Sequence, residues 1–259
     1  MRALRLLALW ASLALTACGT QVPTPAPEAL TVVVADSAAP LARRLAADYA
    51  AAYPHVAVRV DVVGNDLAAG ARLAARRADL ALVTEVEALA VGEALSVTQV
   101  ARVPLAVVVH PQNPVADLSL DRLRAVFLSQ VDNWGQLGGL TRPVLPLVRE
   151  EGAGSRAAFD AAVLQDQPVT PTALILPGDE HMLAYVADQP GAIGYVPVLW
   201  LDGRVRALAV EGVLPNDAQA AALGYPLWLT LSLAAPEDAS PAAQALWRWV
   251  RGAYAEAGP

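Results

Sequence analysis

The sequence predicts an α/β protein folded as two lobes about a cleft, and three observations predict it. Short β-branched runs alternate with helical stretches, the pattern of βα units that builds a parallel sheet flanked by helices. Beyond an N-terminal leader and tether, about 230 residues remain, which suits either one large domain or two lobes of roughly 100 residues each. A glycine-bearing turn at residues 149–155, Arg149-Glu150-Glu151-Gly152-Ala153-Gly154-Ser155, joins an extended run to a helical one. In sheets of this kind, ligands bind beyond the carboxyl ends of the strands.

The chain opens with a leader. Arg2 and Arg5 precede an almost uncharged apolar run over residues 6–17, which ends in Leu15-Thr16-Ala17-Cys18. Such a run is too short to span a bilayer and has the form of a cleaved signal peptide. Cys18 is the single cysteine of the 259 residues, which rules out an internal disulfide. Residues 19–29 carry prolines at 23, 25 and 27 and little that could be buried, so they read as a tether.

The first lobe is expected over residues 30–104 together with 202–259, and the second over 105–201. Residues 31–35 form a β-branched strand, followed by Asp36 to Pro40 and a helix over 41–53 with Leu41, Leu45, Tyr49 and Ala52 at helical spacing. Pro54 stops that helix. A strand over 56–63, a Gly64-Asn65-Asp66 turn, a helix over 67–77 and a strand over 79–83 complete the first βα units. Val103-Pro104 marks the passage to the second lobe, where residues 105–109 are a strongly apolar strand. A helix over 120–127 follows the cap-like Ser119, and Asn133-Trp134-Gly135 makes a turn. Residues 174–177 and 191–196 read as strands around a helix over 180–187. Strands over 205–210 and 225–234 and a helix over 241–254 return the chain to the first lobe.

The turn at 149–155 has the outline of an anion site. Gly152 and Gly154 let the backbone approach a bound group, and Ser155 stands where a helix cap is expected. First-turn amides and the positive helix end favour negative charge, and Arg149 can offer a two-pronged guanidinium contact. Glu151 is expected to pair with Arg149 or Arg156 and orient them.

Five separated segments together resemble the substrate-binding lipoproteins of bacterial phosphate ABC importers, which have the type II periplasmic-binding-protein fold. They are Ser37-Ala38-Ala39-Pro40; the stretch from Gly64 to Gly70 with Asp79 at the next strand; Asn113-Pro114 with Asn133-Trp134; residues 149–159; and Gly191-Ala192-Ile193-Gly194-Tyr195. The resemblance implies two α/β lobes joined by a hinge that the chain crosses twice. It further implies phosphate contacts from Ser37, Ala38, Asn65, Asp66, Thr84, Glu85, Arg149, Ala153, Gly154 and Ser155. The Leu-Thr-Ala-Cys sequence resembles a lipobox, implying cleavage before Cys18, acylation of that residue and a lipid-anchored, extracytoplasmic protein. Permease subunits in the membrane are the implied partners, the protein itself being a monomer without cofactor or metal.

The chain also departs from the family's pattern. Ala153 stands where serine is usual, the second loop is Gly64-Asn65-Asp66-Leu67 in place of a serine- and glycine-rich run, and the acidic residue after the third strand is displaced, with Thr84 or Glu85 lying nearest to its place. Each lost hydroxyl removes a hydrogen bond to a charged ligand, worth about 1.5–3 kcal/mol. An Asp66 or Glu85 carboxylate facing the ligand would favour phosphate, which keeps a proton near pH 7, over sulfate, which does not.

Composition narrows the alternatives. The net charge is −7 and falls to −9 once Arg2 and Arg5 leave with the leader, so a polyanion such as nucleic acid would meet no basic surface. His55, His110 and His181 show no catalytic or metal-ligand spacing, which argues against an enzyme. Trp134, Trp200, Trp228, Trp247 and Trp249 are scattered as packing residues are. Asp79 is open between a structural role and ligand contact. The competing reading is a degenerate module of the same fold that senses or carries another oxyanion or small solute.

Overall fold

A computed structural model describes residues 28–89, 94–165, 167–216 and 218–254. The leader, Cys18 and nearly all of the tether lie outside these residues. In the first half, β1 (Glu28–Ala35) leads through a short turn to α1 (Ala39–Ala52) and β2 (Val56–Val63). Then come α2 (Asp66–Ala74) and β3 (Leu80–Val83). Local chemistry sets the ends of these helices. Pro40 sits in the first turn of α1, where its missing N–H costs nothing. Asn65 caps α2 by accepting the Ala68 amide at 2.9 Å.

The long strand β4 (Leu95–Val109) carries the chain into the second half. There β5 (Asp117–Leu118) and α3 (Leu120–Phe127) precede β6 (Leu145–Arg149). Helix α4 (Gly154–Phe159) continues without a break as a wider π turn over Asp160–Leu164. After it come β7 (Leu174–Leu176), α5 (Asp179–Asp188), β8 (Ala192–Pro197), β9 (Arg206–Ala207) and β10 (Ala209–Val210). Finally β11 (Trp228–Pro236) and α6 (Pro241–Tyr254) return to the first half.

The main sheet runs β2-β1-β3-β11-β4-β8-β6-β7, with β9 also on β4, while β10 pairs β5 separately. In the first half β1 is parallel to β2 and β3, as alternating βα units require, and β11 enters antiparallel between β3 and β4. At Pro104 the strand β4 changes neighbours. Residues 95–104 pair with β11, and 105–109 pair with β8. The passage between halves expected at Val103-Pro104 thus lies inside one continuous strand.

Each half buries apolar side chains on both faces of its part of the sheet. In the first, Leu41, Leu45 and Tyr49 of α1 and Leu246 and Val250 of α6 cover one face, while Ala69 and Leu73 of α2 cover the other. In the second, α3 and α4 contribute Leu123, Phe127 and Phe159 to one face, and α5 contributes Met182, Leu183 and Val186 to the other. Full burial of such a side chain is worth about 1.5–3 kcal/mol, so these faces dominate the stability of each half.

The chain returns to the first half later than the sequence suggests. Leu208, Val210, Ala220, Tyr225 and Leu227 all pack in the core of the second half. The Tyr225 hydroxyl donates to the Leu105 carbonyl at 2.7 Å, and β9 pairs with β4 at Val108 and Val109. The apolar periodicity of 205–210 reveals a strand but not its neighbour.

Candidate functional site

Five strands of the two halves point their carboxyl ends at one place. Beyond β1 lies Asp36, beyond β2 Gly64, beyond β3 Thr84, beyond β6 the Arg149 turn, and beyond β7 the start of α5 at Asp179. Arg149 is the centre of this meeting and is fully buried. Its Nε and Nη2 reach Glu150 at 3.0 and 3.1 Å, and Nη2 also donates to the Gly64 carbonyl at 3.1 Å. Its Nη1 lies 2.7 Å from Asp179 and 3.4 Å from Asp36. The Tyr195 hydroxyl accepts the Arg149 amide at 3.2 Å, and the Tyr195 ring stacks on Phe159 of α4 with centroids 4.1 Å apart. Aromatic packing therefore fixes the strand end that carries the guanidinium.

Three carboxylates surround one guanidinium, and their protonation follows from that. Burial opposes the charge of Arg149, but Asp179 and Glu150 outweigh it and hold the guanidinium more firmly protonated than usual. Asp179 is wholly buried, and its pKa is pushed up to about 6: burial raises it, Arg149 counters, Asp36 raises it further, and the Ser37 hydroxyl helps keep it charged. Asp36 also accepts the Asp179 amide at 2.7 Å, so it bridges the halves at two points.

Asp66 forms a second buried centre. Its carboxylate accepts the Thr84 amide at 3.1 Å, the Thr84 hydroxyl, and the Glu85 amide at 3.1 Å. Burial raises its pKa, the Thr84 and Glu85 hydrogen bonds oppose that, and Arg149 adds a weaker lowering. The Glu85 carboxyl is raised by burial first and by Asp66 and Glu87 after it.

Every residue expected at the site is gathered here, although several act differently from expectation. Ser37 and Ala38 are buried in the turn before α1. Asn65 is a helix cap, and Asp66 braces Thr84 and Glu85 with its own oxygens, in place of the open, ligand-facing carboxylate the sequence suggests. The cap of α4 is Ala153, which has no side-chain hydrogen bond to give, and Ser155 lies inside the first turn. The Ser155 hydroxyl is buried with no hydrogen-bond partner among the described residues. Glu150, not Glu151, pairs with Arg149, because Glu151 faces solvent. Asp79 proves structural: it accepts the Thr31 amide at 2.7 Å and its own amide donates back to Thr31 at 2.8 Å.

The glycines of the turn serve close approach. Gly152 has φ of +81°. Its carbonyl accepts the Asp66 amide at 3.3 Å from across the site. A Cβ on Gly154 would overlap the Thr84 hydroxyl and come within 2.7 Å of the Asp66 carboxylate. Three residues of the site carry no sequence signal of their own. Asp36 and Glu150 are neighbours of singled-out residues, and Asp179 has the ordinary look of an acidic first-turn residue of a helix.

Comparison with known proteins places the chain in a family. A model of the PBP superfamily domain matches residues 21–252. The phosphate-binding protein PstS of Bacillus subtilis (strain 168) is 34% identical over 131 residues, which span 50% of this chain and 43% of that protein. A putative phosphate ABC transporter substrate-binding protein with bound phosphate, from Clostridium perfringens, superposes with a TM-score of 0.79 at 21% identity, covering 86% of this chain and 93% of that one. An ABC-type phosphate transport receptor from Vibrio cholerae gives 0.67 at 24% identity, covering 88% and 96%. With its strand order, its two-way crossing between halves and a family match over nearly all of its described length, the chain belongs to the periplasmic-binding-protein (PBP) superfamily.

Proposed function

We propose that the protein is an extracytoplasmic solute-binding component of an ABC importer that captures phosphate between its two halves and hands it to permease subunits in the membrane. The observation that carries this reading is Arg149, a fully buried guanidinium at the meeting of five strand ends from both halves. A guanidinium fork matches two oxygens of a tetrahedral oxyanion, and the unpartnered Ser155 hydroxyl nearby can donate to a third. Both the Bacillus protein and the Clostridium structure are named for phosphate.

On this reading, residues 28–104 with 228–254 act as one lobe and 105–227 as the other, closing about Pro104 and the entry to β11. Cys18 supplies a lipid anchor that holds the protein at the outer face of a membrane. No helix among the described residues is long and apolar enough to cross one. Selectivity follows from the acids around Arg149. Glu150 and Asp179 can accept a hydrogen from protonated phosphate but only repel sulfate. Calorimetric titrations at pH 7 test this: phosphate binds, and sulfate binds at least about tenfold more weakly. Equal affinity for both anions would defeat the selectivity argument, and no heat with either would defeat the proposed function.

A further inference from the structure

The acceptors around Arg149 are not equivalent. A guanidinium has five N–H donors. Arg149 meets five acceptor atoms: both oxygens of Glu150, the Gly64 carbonyl, one oxygen of Asp179 and one of Asp36. Any oxyanion that binds the guanidinium must therefore take the place of at least one of them, and the first to yield sets the cost of binding. Glu150 and Asp179 belong to the same half as Arg149, and Gly64 presents backbone. Asp179 has no exposed side-chain surface and cannot swing to water, whereas the Asp36 side chain keeps 17% of its surface exposed and makes the longest of the five contacts, 3.4 Å.

Asp36 also does what a bound oxyanion would do. A single oxygen, Oδ2, stands between the Arg149 guanidinium and the Asp179 amide at the first turn of α5, drawing the second half onto the first. We propose that Asp36 is a built-in counter-anion that holds Arg149 across the cleft and that phosphate must displace, so that this one side chain sets the affinity of the site. The proposal rests on the phosphate reading above. Its chemistry follows from charge: Arg149 faces Asp36, Glu150 and Asp179 together, and an added anion is accommodated best when the most weakly held of the three leaves, which is Asp36 with its single 3.4 Å contact; Glu150, although its side chain is 26% exposed, holds the guanidinium with both oxygens at 3.0 and 3.1 Å.

The test is calorimetric titration of the full chain with inorganic phosphate at constant pH and ionic strength, comparing the native protein with Asp36→Asn, Asp36→Ser and Asp121→Asn. Asp36→Asn keeps a carbonyl that can accept the Asp179 amide and so preserves the fold, while Asp36→Ser removes the reach to Arg149. Asp121 is 88% exposed on α3 and controls for a change of net charge alone. The expected result is a gain of at least about tenfold in phosphate affinity for both Asp36 variants and none for Asp121→Asn. Equal or weaker binding by folded Asp36 variants, or an equal gain in Asp121→Asn, overturns the proposal and leaves the phosphate reading intact. Absence of binding in all four proteins overturns that reading and the proposal with it.

Discussion

Asp66 and Arg149 are both buried charges where the two halves meet, and they are stabilised in opposite ways. The Asp66 carboxylate finds its hydrogen-bond partners in its own half, two amides and a hydroxyl of the Thr84–Glu85 loop, and only its backbone amide reaches across, to the Gly152 carbonyl. Arg149 draws on both halves, through Glu150 and Asp179 beside it and through Asp36 and Gly64 opposite. A charge satisfied within its own lobe keeps its surroundings when the lobes move. One shared across the cleft senses their separation, which is the property a ligand-gated closure needs. Asp66 thus shapes a loop, and Arg149 couples the halves.

The sharpest way to break this contrast is to remove Arg149. Arg149→Ala leaves Asp179 as an uncompensated buried carboxylate and is expected to destabilise the protein by about 3–5 kcal/mol in urea denaturation. A loss below about 1 kcal/mol would show that Asp179 does not depend on the guanidinium.

Asp179 gives the next largest effect, through pH. Its folded pKa of about 6 lies above the usual 3.8. The folded state therefore holds the proton where the unfolded chain releases it. The associated stability is fully present below pH 3.8 and is lost as pH rises through 6, a change of up to about 3 kcal/mol. Stability measured at pH 4 and pH 6 should fall more steeply in the native protein than in Asp179→Asn. Parallel slopes would mean that Arg149 keeps Asp179 ionised throughout.

The smallest effect belongs to Asp66. Asp66→Asn weakens the charged acceptor of the Thr84 and Glu85 amides and is expected to lower stability by about 1–3 kcal/mol. Hydrogen exchange should quicken at those two amides, while the Asp179 amide, held by Asp36, keeps its protection. Faster exchange at Asp179 as well would erase the distinction between a local brace and a cross-cleft contact.

Much of this was legible in the sequence, for identifiable reasons. The βα alternation of residues 31–83 shows as β-branched runs and helical spacing, because both faces of a parallel sheet must be covered. Arg149, Gly152 and Gly154 stood out because a positive φ and a close backbone approach demand glycine. What the sequence hid was partnership. Nothing in Asp36 or Asp179 shows that they meet, since they are 143 residues apart and come together through tertiary packing alone. The late return of the chain, held by Tyr225 and Leu208 in the second core, was hidden for the same reason. So was the inward turn of Asp66, which depends on the Thr84 loop folding over it.

The measurement that tests the account most directly is the phosphate dissociation constant of Arg149→Lys beside the native protein. Lysine keeps the positive charge opposite Asp179 but cannot present a planar fork to two oxygens. The account predicts that Arg149→Lys stays folded and binds phosphate at least about tenfold more weakly. Unchanged affinity in a folded Arg149→Lys protein would contradict it, because phosphate would then be held somewhere other than at this guanidinium.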